Sequence, residues 1–316
     1  MRAVAIINAK ASTVLEMGPA VVHDIAQGFR TRGYDLEVEL LPSENIEPAL
    51  KSAAARPDLD AVIVGGGDGS LNVAASLLSG TGKALGVVPL GTVNLLARDL
   101  QIPFDVIHAV DALSNATVET IDLAEVNGVT FHSIAGLGFL AQMARERQRA
   151  RKEVPFARWL AFALALWRAL SRADRIALLI ETDTGKITRR CSAVLVTNNI
   201  YRESEWTRRR MSDGLLEVHM VSGWTWWPLA RAGLDVMMGR WRQSGRVESI
   251  LGRELVITTR KTRVPVSVDG EIVTLSPPLH FRVRPNALKV LRPIPANATA
   301  QSAPYGSTSE VWRNSA

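Results

Sequence analysis

The 316-residue sequence contains a single cysteine, Cys191, and no apolar run long enough to cross a bilayer. A lone cysteine cannot form an internal disulfide and has no partner for cysteine-based metal binding, which fits a reducing compartment. The longest apolar run is the nine residues from Trp159 to Trp167, about half of the ~20 that a membrane-spanning helix requires. The few apolar positions before Asn8 are too short for the apolar core of a secretory signal. We therefore expect a cytoplasmic protein without a transmembrane helix.

Basic residues and tryptophans are few in the first part of the chain. Residues 1–121 hold 8 Lys and Arg against 14 Asp and Glu, whereas residues 122–316 hold 29 against 17. All 8 tryptophans lie in the second part. Arginine mixed with tryptophan fits a surface that meets anionic lipid head groups or nucleic acid, and it also fits solvated arginines around core tryptophans. No nucleic-acid-binding module is recognisable, so no nucleic-acid partner is expected.

Short β-rich runs alternate with helical patterns in the first 120 residues. Strands are predicted at 3–7, 36–41, 61–64 and 85–88, and helices near 15–30, 46–55 and 69–79. This alternation predicts a parallel sheet with crossover helices.

After Thr120 the pattern changes to strands and turns, which predicts an antiparallel β-sandwich. A first hairpin is expected to turn at Asn127 and Gly128. Further strands are predicted at 175–181, 187–197, 215–221, 254–260, 264–268 and 279–284, and helices near 156–171 and 226–239. The last stretch, 293–316, is rich in Pro, Ala, Ser and Thr without periodicity, so we expect a disordered tail.

The run G-G-G-D-G-S-L-N at 65–72 follows a predicted buried strand and precedes a predicted helix. Glycines allow a positive φ and a close approach, so a strand, a glycine loop and a helix N-terminus can form an anion site. Structural glycines in a tight turn are the alternative. The spacing matches neither the P-loop nor the dinucleotide fingerprint. Asp68 would repel bare phosphates unless a divalent cation lies between them or the carboxylate accepts a proton from an attacking hydroxyl.

A second loop, P-L-G-T-V-N-L-L-A at 89–97, also joins a predicted strand to a helix. Thr92 is placed to cap this helix, and Asn94 lies just inside it. Because ligands bind at the carboxyl ends of parallel strands, we expect the two loops to converge on one site.

These two motifs together resemble the diacylglycerol kinase catalytic domain family in its bacterial lipid kinase form, which is related to sphingosine and ceramide kinases. The resemblance continues in V-N-G-V-T-F-H-S-I-A-G-L-G-F at 126–139, S-D-G-L-L-E-V at 212–218 and V-D-G-E at 268–271. It covers nearly the whole chain to about residue 292.

The resemblance implies an α/β plus β-sandwich protein that uses ATP and Mg²⁺ to phosphorylate a lipid hydroxyl, on a diacylglycerol-like or sphingoid-like acceptor. The N-terminal domain, 1–121, would have a phosphofructokinase-like sheet similar to that of NAD kinase, and 285–292 would rejoin it. Residues 122–284 would form the lipid-substrate sandwich. A membrane lipid is then the implied partner, and a homodimer stays open.

The resemblance also assigns roles to individual residues. Glu271 would accept the proton, and Asp68 would position Mg²⁺ or act as the base itself. On spacing alone, Asp269-Gly270-Glu271 also fits an ordinary hairpin turn. The implied nucleotide-binding residues are Asn8, Ser12, Gly66, Gly67, Asp68, Gly69, Ser70, Leu71, Asn72, Gly91, Thr92 and Asn94.

Two stretches depart from the family pattern. The N-terminal Asn-Pro-x-Ser-Gly motif is Asn8-Ala9-Lys10-Ala11-Ser12 here, without the proline and the glycine. Some bacterial relatives hold a structural Mg²⁺ through two aspartates and a carbonyl. Asp213 and the carbonyl of Leu215 match that set, whereas Arg210 stands at the upstream carboxylate position.

Two other functions stay open. An NAD kinase shares the G-G-D-G motif and a similar sandwich, and A-G-L-G-F-L at 135–140 resembles its second motif, although P-L-G-T-x-N argues against it. A catalytically inactive regulator that binds lipid or nucleotide could keep the glycine loops as scaffold. The joint presence of Asp68, Thr92 and Glu271 favours an enzyme.

The stretch 145–167 combines an arginine-rich run with a pattern of aromatic and aliphatic residues at helical spacing. This pattern fits a helix lying on an anionic membrane surface, and it also fits a core helix preceded by solvated charges. The tryptophan-rich residues 223–229 are ambiguous in the same way. Peripheral contact with the inner face of the membrane is therefore a hypothesis.

Overall fold

The computed structural model describes residues 1–153, 176–182, 185–202, 207–208, 210–222, 231–235, 238–243 and 245–294, with side chains of the seventh helix described as far as Glu146. The helix predicted near 156–171, the tryptophan-rich residues 223–229 and almost all of the predicted tail lie outside the described residues. Of the helix predicted near 226–239, residues 231–235 are described and are helical. The same holds for most of the predicted membrane-facing stretch. Among the described residues, no helix combines the length and the apolar character that crossing a bilayer requires.

The N-terminal part is a parallel sheet covered by helices, as the alternating pattern predicts. Its strands have the order β2-β1-β3-β4. They are β1 (Arg2–Asn8), β2 (Asp35–Leu41), β3 (Ala61–Gly66) and β4 (Ala84–Pro89). Every residue of β3 and β4 is buried, which is typical of parallel strands that helices cover on both faces.

Six helices pack on this sheet or connect its strands. They are α1 (Ser12–Met17), α2 (Ala20–Arg30), α3 (Ser43–Ala55), α4 (Asp68–Leu78), α5 (Leu95–Asp99) and α6 (Val106–Ser114). The helix predicted near 15–30 is present as two helices, because Gly18 ends α1 with a positive φ of 76° and Pro19 is the N-cap residue of α2. The helix predicted after the second loop is confirmed as α5, although its N-cap residue is Asn94 and not Thr92. The predictions missed α6.

Strand β16 (Leu279–Arg292) connects the two parts of the molecule. It pairs in parallel with β4 and antiparallel with β5 (Thr117–Val126), and its first half pairs with a strand of the sandwich. The prediction of a strand over 279–284 was therefore too short. The register with β5 shifts between Arg284 and Leu288, so the strand changes direction between its two sets of neighbours.

The second part is an antiparallel β-sandwich, as predicted. One face is a six-stranded sheet with the order β12-β11-β10-β7-β14-β15. These strands are β7 (Ile134–Gly138), β10 (Ala193–Asn198), β11 (Leu216–Val221), β12 (Val247–Gly252), β14 (Val264–Val268) and β15 (Glu271–Leu275). Between the sheets lies a hydrophobic core that includes Phe131, Val218 and Phe281. The domain limits of 1–121 with 285–292 and of 122–284 stay a prediction.

The other face extends the first sheet. It contains β6 (Val129–Phe131), β8 (Ile176–Thr182), β9 (Gly185–Cys191) and β13 (Glu254–Thr258), besides β5 and β16. The hairpin predicted at Asn127 and Gly128 is confirmed, with positive φ angles of 46° and 82°. The strand predicted over 187–197 is two strands in different sheets, separated at Ser192. Helix α7 (Phe139–Glu153) follows β7, and neither it nor β12 was predicted.

A buried ion pair fastens the two parts together. Asp99, at the end of α5, accepts hydrogen bonds from the backbone N–H and from Nε of Arg208, at 3.0 and 2.9 Å. Arg208 also donates through Nη1 to the carbonyl oxygen of His132, in the sandwich. Both charged side chains are almost completely shielded from solvent. Arg208 is therefore held between α5 and the sandwich.

Replacing Arg208 by Met should lower the free energy of unfolding by about 3–5 kcal/mol, because the Asp99 carboxylate then stays buried without its counter-charge. Urea unfolding followed by circular dichroism measures this loss. The double variant Asp99→Asn with Arg208→Met removes both charges and should recover most of the stability. A single variant as stable as the wild type would contradict the prediction.

Candidate active site

The glycine loop ends at the N-terminus of α4, and this helix end faces a cleft of about 640 Å³. Gly67 is the N-cap residue, and without a side chain it cannot cap the first turn of the helix. The first N–H groups of a helix have no partner within it, and the helix dipole gives that end a partial positive charge. The wall formed by Gly67, Gly69 and Ser70 is therefore suited to an anion.

The second loop lies directly against the first. A Cβ atom on Gly91 would come within 2.4 Å of the Cα atom of Gly67, a distance that real Cβ atoms do not adopt. Asn94 closes this loop by accepting from the N–H of Gly91 at 3.0 Å and donating to its carbonyl oxygen at 2.9 Å. It does so in the left-handed region, with a φ of 53° that asparagine tolerates. The two loops thus converge as predicted, and Asn94 shapes the turn rather than lining the cleft.

The carboxylate of Asp68 joins the two loops. One oxygen accepts from the N–H of Leu95 at 2.7 Å and the other from the N–H of Asn94 at 3.1 Å. These are charge-assisted bonds to the start of α5, whose first N–H groups would otherwise have no partner. Asp68 also lies in the lining of the cleft. Its carboxylate is therefore partly committed to holding the loops together.

The loop after β1 forms a third side of the cleft. Asn8 donates from Nδ2 to Ser70 Oγ at 3.3 Å, and its Oδ1 accepts from the backbone N–H of Lys10 at 2.9 Å. Ser12 donates to the carbonyl oxygen of Leu90, in the second loop, at 3.1 Å. Despite its altered sequence, this loop is thus tied to both of the other loops.

Lys10 was not among the predicted site residues, and it is the only cation among the described residues that line the cleft. Its ammonium group contacts a carboxylate oxygen of Glu44 at 3.1 Å. A hydrogen bond within Glu44 itself and the one from Lys10 lower the pKa of the Glu44 carboxyl. Both side chains are more than half exposed, so this pair contributes little to stability and Lys10 can change partners. The sequence did contain a signal that Lys10 belongs to the site, because it lies two residues after the predicted site residue Asn8.

The sandwich contributes an acidic residue to the opposite side of the cleft. Asp269 and Gly270 form a hairpin turn with φ angles of 46° and 89°, and Glu271 follows as the first residue of β15. A Cβ atom on Gly69 would lie 2.8 Å from Glu271 Oε1. The structure is therefore compatible with both interpretations of this motif, as a hairpin turn and as a part of the active site. The Glu271 carboxylate reaches the first turn of α4, where the helix dipole favours a negative charge.

Asp269 holds this hairpin in place, a role that the sequence analysis did not assign. Its buried carboxylate accepts from the backbone N–H groups of His132, Ser133 and Ile134, at 2.8, 3.1 and 2.9 Å. Its own N–H donates to the carbonyl oxygen of Ile134. The turn that presents Glu271 is thus fixed to the start of β7 by several hydrogen bonds.

The cleft brings together most, but not all, of the predicted residues. Those that line it are Asn8, Ser12, Gly67, Asp68, Gly69, Ser70, Gly91, Thr92 and Glu271. Gly66, Leu71 and Asn94 are buried behind this wall. The Oδ1 atom of Asn72 is buried on α4 and has no hydrogen-bond partner among the described residues.

The predicted metal ligands Asp213 and Leu215 lie elsewhere, at a loop before β11. The carbonyl oxygen of Leu215 accepts from the N–H of Asn199 at 2.9 Å. Asp122, which the sequence analysis did not single out, accepts from the N–H groups of Gly214 and Asn286 at 2.7 and 2.8 Å. In the part of the chain that the structure describes, no three His, Cys, Asp or Glu side chains cluster as metal ligands would. The structural Mg²⁺ at Asp213 and Leu215 stays a prediction.

This arrangement defines a two-domain protein with an α/β domain and an antiparallel sandwich that meet at a glycine-lined cleft. The family model for the diacylglycerol kinase catalytic domain matches residues 2–126, and the model for the YegS C-terminal NAD kinase beta sandwich-like domain matches residues 133–292. The chain therefore belongs to the family that joins a diacylglycerol kinase catalytic domain to a YegS-type C-terminal sandwich domain.

Individual relatives agree with this assignment. The diacylglycerol kinase of Bacillus subtilis strain 168 is 36% identical over 123 residues, which cover 38% of this chain and 40% of that protein. The diacylglycerol kinase of Staphylococcus haemolyticus strain JCSC1435 is 32% identical over 137 residues, or 42% and 40% of the two chains. A Synechocystis protein of undescribed function matches over 74% of this chain and 55% of its own length, at 26% identity. The chain thus spans about half the length of these relatives.

Solved structures confirm the fold. A diacylglycerol kinase structure from Bacillus anthracis strain Sterne is similar with a TM-score of 0.66 at 16% identity, covering 93% of this chain and 97% of that one. Another structure from the same strain gives a TM-score of 0.76 at 19% identity, covering 93% and 96%. At these identities the likeness shows the fold alone.

Replacing Asp68 by Asn should destabilise the protein by about 1–3 kcal/mol, because a neutral amide cannot accept both backbone hydrogen bonds as the carboxylate does. Urea unfolding without nucleotide measures this effect separately from any catalytic role. Glu271→Gln is the matched control, since the Glu271 side chain is exposed and its change should leave stability within about 0.5 kcal/mol. An Asp68→Asn protein as stable as this control would disprove the role of Asp68 as a clamp.

Proposed function

We propose that the protein is a lipid kinase that transfers the γ-phosphoryl group of ATP to a hydroxyl group of a lipid. The observation that carries the proposal is the approach of the Glu271 carboxylate, from the sandwich, to the first turn of α4 beside Gly69. One domain then supplies an anion site and the other a proton acceptor, which is what phosphoryl transfer to a hydroxyl requires. The names of the bacterial relatives support a lipid as the acceptor.

The cleft has the size and the donors that a triphosphate needs. Its volume of about 640 Å³ lies within the ordinary range for nucleotide-sized ligands. The N–H groups of the first turn of α4 would bind phosphate oxygens, and the close contact of Gly67 with Gly91 leaves bare backbone on both sides. Lys10 would neutralise part of the phosphate charge, and Thr92, exposed in the second loop, would contact the nucleotide.

The acidic residues of the cleft fit a bound Mg²⁺. This ion prefers octahedral oxygen ligands, and in kinases it is held by one or two carboxylates together with phosphate oxygens and water. Asp68 lines the cleft and has lone pairs beyond the two that accept hydrogen bonds, so it would hold the ion. When bound, Mg²⁺ would neutralise part of the phosphate charge.

Of the two candidate bases, we assign the proton transfer to Glu271. The Asp68 carboxylate accepts hydrogen bonds from two backbone N–H groups and holds the two loops together, so its oxygens are already committed. Glu271 is exposed to the cleft. In the proposed reaction the lipid oxygen forms a bond to the γ-phosphorus while the bond from that phosphorus to the β–γ bridging oxygen breaks. The hydroxyl proton passes to Glu271, and ADP leaves.

A lipid substrate requires access to a membrane, and we extend the proposal to peripheral contact with an anionic bilayer from the cytoplasmic side. Arg145 supports this, because it is exposed on α7 directly after Ala144, which lines the cleft. A basic side chain at this position would be attracted to acidic head groups.

Glu271→Gln should lower kcat for lipid phosphorylation by roughly 10²–10⁴-fold with little change in the KM for ATP, because only proton transfer is lost. The assay uses labelled ATP, Mg²⁺ and a panel of diacylglycerol, monoacylglycerol, a sphingoid base, phosphatidylglycerol and NAD. Glu254→Gln, an exposed position on β13, is the matched control and should retain full activity. Label in NAD alone would replace the proposal by an NAD kinase, and silence across the panel would favour a non-catalytic binding protein.

Lys10→Met should raise the KM for ATP by roughly tenfold, the effect of losing one charge-assisted hydrogen bond of about 1.5 kcal/mol, while kcat changes little. Lys10→Arg keeps the positive charge and should stay within a few-fold of the wild type. Initial rates over a range of ATP concentrations give both constants. A Lys10→Met enzyme with an unchanged KM would exclude the residue from phosphate binding.

A further inference from the structure

A second, apolar pocket of about 170 Å³ lies on the sandwich, separate from the cleft. Its floor is the outer face of the six-stranded sheet. Val194 and Val196 of β10 point into the core, so Leu195 points to the outer face, and His219 lies opposite it on β11. Both residues line the pocket. Phe139 and Leu140, at the start of α7, form one wall, and Gly233 with Trp241 forms the other.

The walls of this pocket offer no charge at neutral pH. His219 stacks on Trp241 with ring centroids 5.0 Å apart. Burial lowers the pKa of His219 to about 4, so its imidazole is neutral and acts as an aromatic surface. The nearby carboxylate of Glu217 is paired with Arg242, at 2.5 Å. An apolar chain could therefore occupy the pocket without meeting an unpaired charge among the described residues.

Helix α7 connects the pocket with the cleft. Leu140, in its first turn, lines the pocket, and Ala144, one turn later, lines the cleft next to the Glu271 hairpin. The helix can lie this close to the sheet because Gly136 has no side chain; a Cβ atom there would come within 2.8 Å of the Cβ atom of Leu140. In sheet order, β11 lies four strand spacings from β15, or roughly 19 Å. A lipid chain of fatty-acid length spans that distance.

Resting on the proposed kinase function, we propose that the lipid acceptor is a single-chain amphiphile whose hydrocarbon tail occupies this second pocket. The head group then lies at Glu271 and the tail follows α7 to Leu195. The small volume selects one chain, since a cavity of about 150 Å³ holds a single benzene-sized ligand. A lipid with two chains must leave one of them outside. The exposed Leu234 and Met238, in the segment that carries Gly233, offer an apolar surface next to this pocket.

The first test is independent of phosphorylation. Calorimetric titration of the protein with a long-chain primary alcohol, in the absence of ATP, probes the pocket without any phosphoryl transfer. Leu195→Trp should fill the pocket and weaken binding by roughly tenfold or more, because each buried methylene that is excluded changes affinity about fourfold. Leu195→Met keeps the volume and should bind like the wild type. Glu254→Gln, an exposed change on β13, should also bind like the wild type.

Gly233→Leu provides a second filling variant in case Leu195→Trp does not fold. A Cβ atom at Gly233 would meet no other atom within 4 Å, so the substitution adds volume without a clash in its first carbon. Failure of the alcohol to bind the wild type, or equal binding by the wild type and the filled variants, would overturn the proposal whatever the kinase assay shows.

The second test compares acceptors. In mixed micelles, monoacylglycerol should be phosphorylated with a kcat/KM at least several-fold above that of diacylglycerol with the same acyl chain, and the filled variants should shift the preference to shorter chains. Equal use of both lipids would refute the single-chain proposal and leave the kinase function standing. Normal alcohol binding without label in any lipid would refute the kinase function and retain the pocket as a site for an alkyl chain.

Discussion

The site depends on the two hydrogen bonds that the Asp68 carboxylate accepts from the N–H groups of Asn94 and Leu95. A loop that leaves one parallel strand is here joined to the loop of the next strand by a charge. This link stabilises the close contact between Gly67 and Gly91. The bare backbone of each loop is thus exposed to the cleft because the other loop supports it from behind.

Aspartates satisfy the polar groups of irregular backbone at three places. Asp68, Asp122 and Asp269 each accept hydrogen bonds from two or three backbone N–H groups that belong to other elements. Irregular backbone near a core must satisfy its polar groups, and one carboxylate can serve several of them. The acid that would react, Glu271, is exposed instead. Asp122 and Asp269 therefore build the structure, Glu271 is proposed to act in the reaction, and Asp68 does both because it would also hold Mg²⁺.

The sequence was sufficient for the alternation of β3, α4, β4 and α5, because buried parallel strands and glycine turns leave a local signal. It also indicated that the loops meet at one sheet edge. It could not give the length of β16. The strand continues past the register shift that follows Arg284, and no local sequence pattern there shows that it continues. The roles of Asp269 and Lys10 depend on partners far away in the chain, and only the fold decides which aspartate becomes a clamp and which lysine lines a cleft.

The two domains differ in what they can bind, and the position of α7 explains how one substrate molecule could contact both. The first domain offers backbone N–H groups and one lysine, which suit a polyanion. The outer face of the sandwich offers neutral aromatic and aliphatic side chains, which suit hydrocarbon. A substrate with a polar head and an apolar tail needs both surfaces within its own length. Gly136 lets α7 pack against the sheet between them, so the distance from Glu271 to the apolar pocket is set by the spacing of the strands.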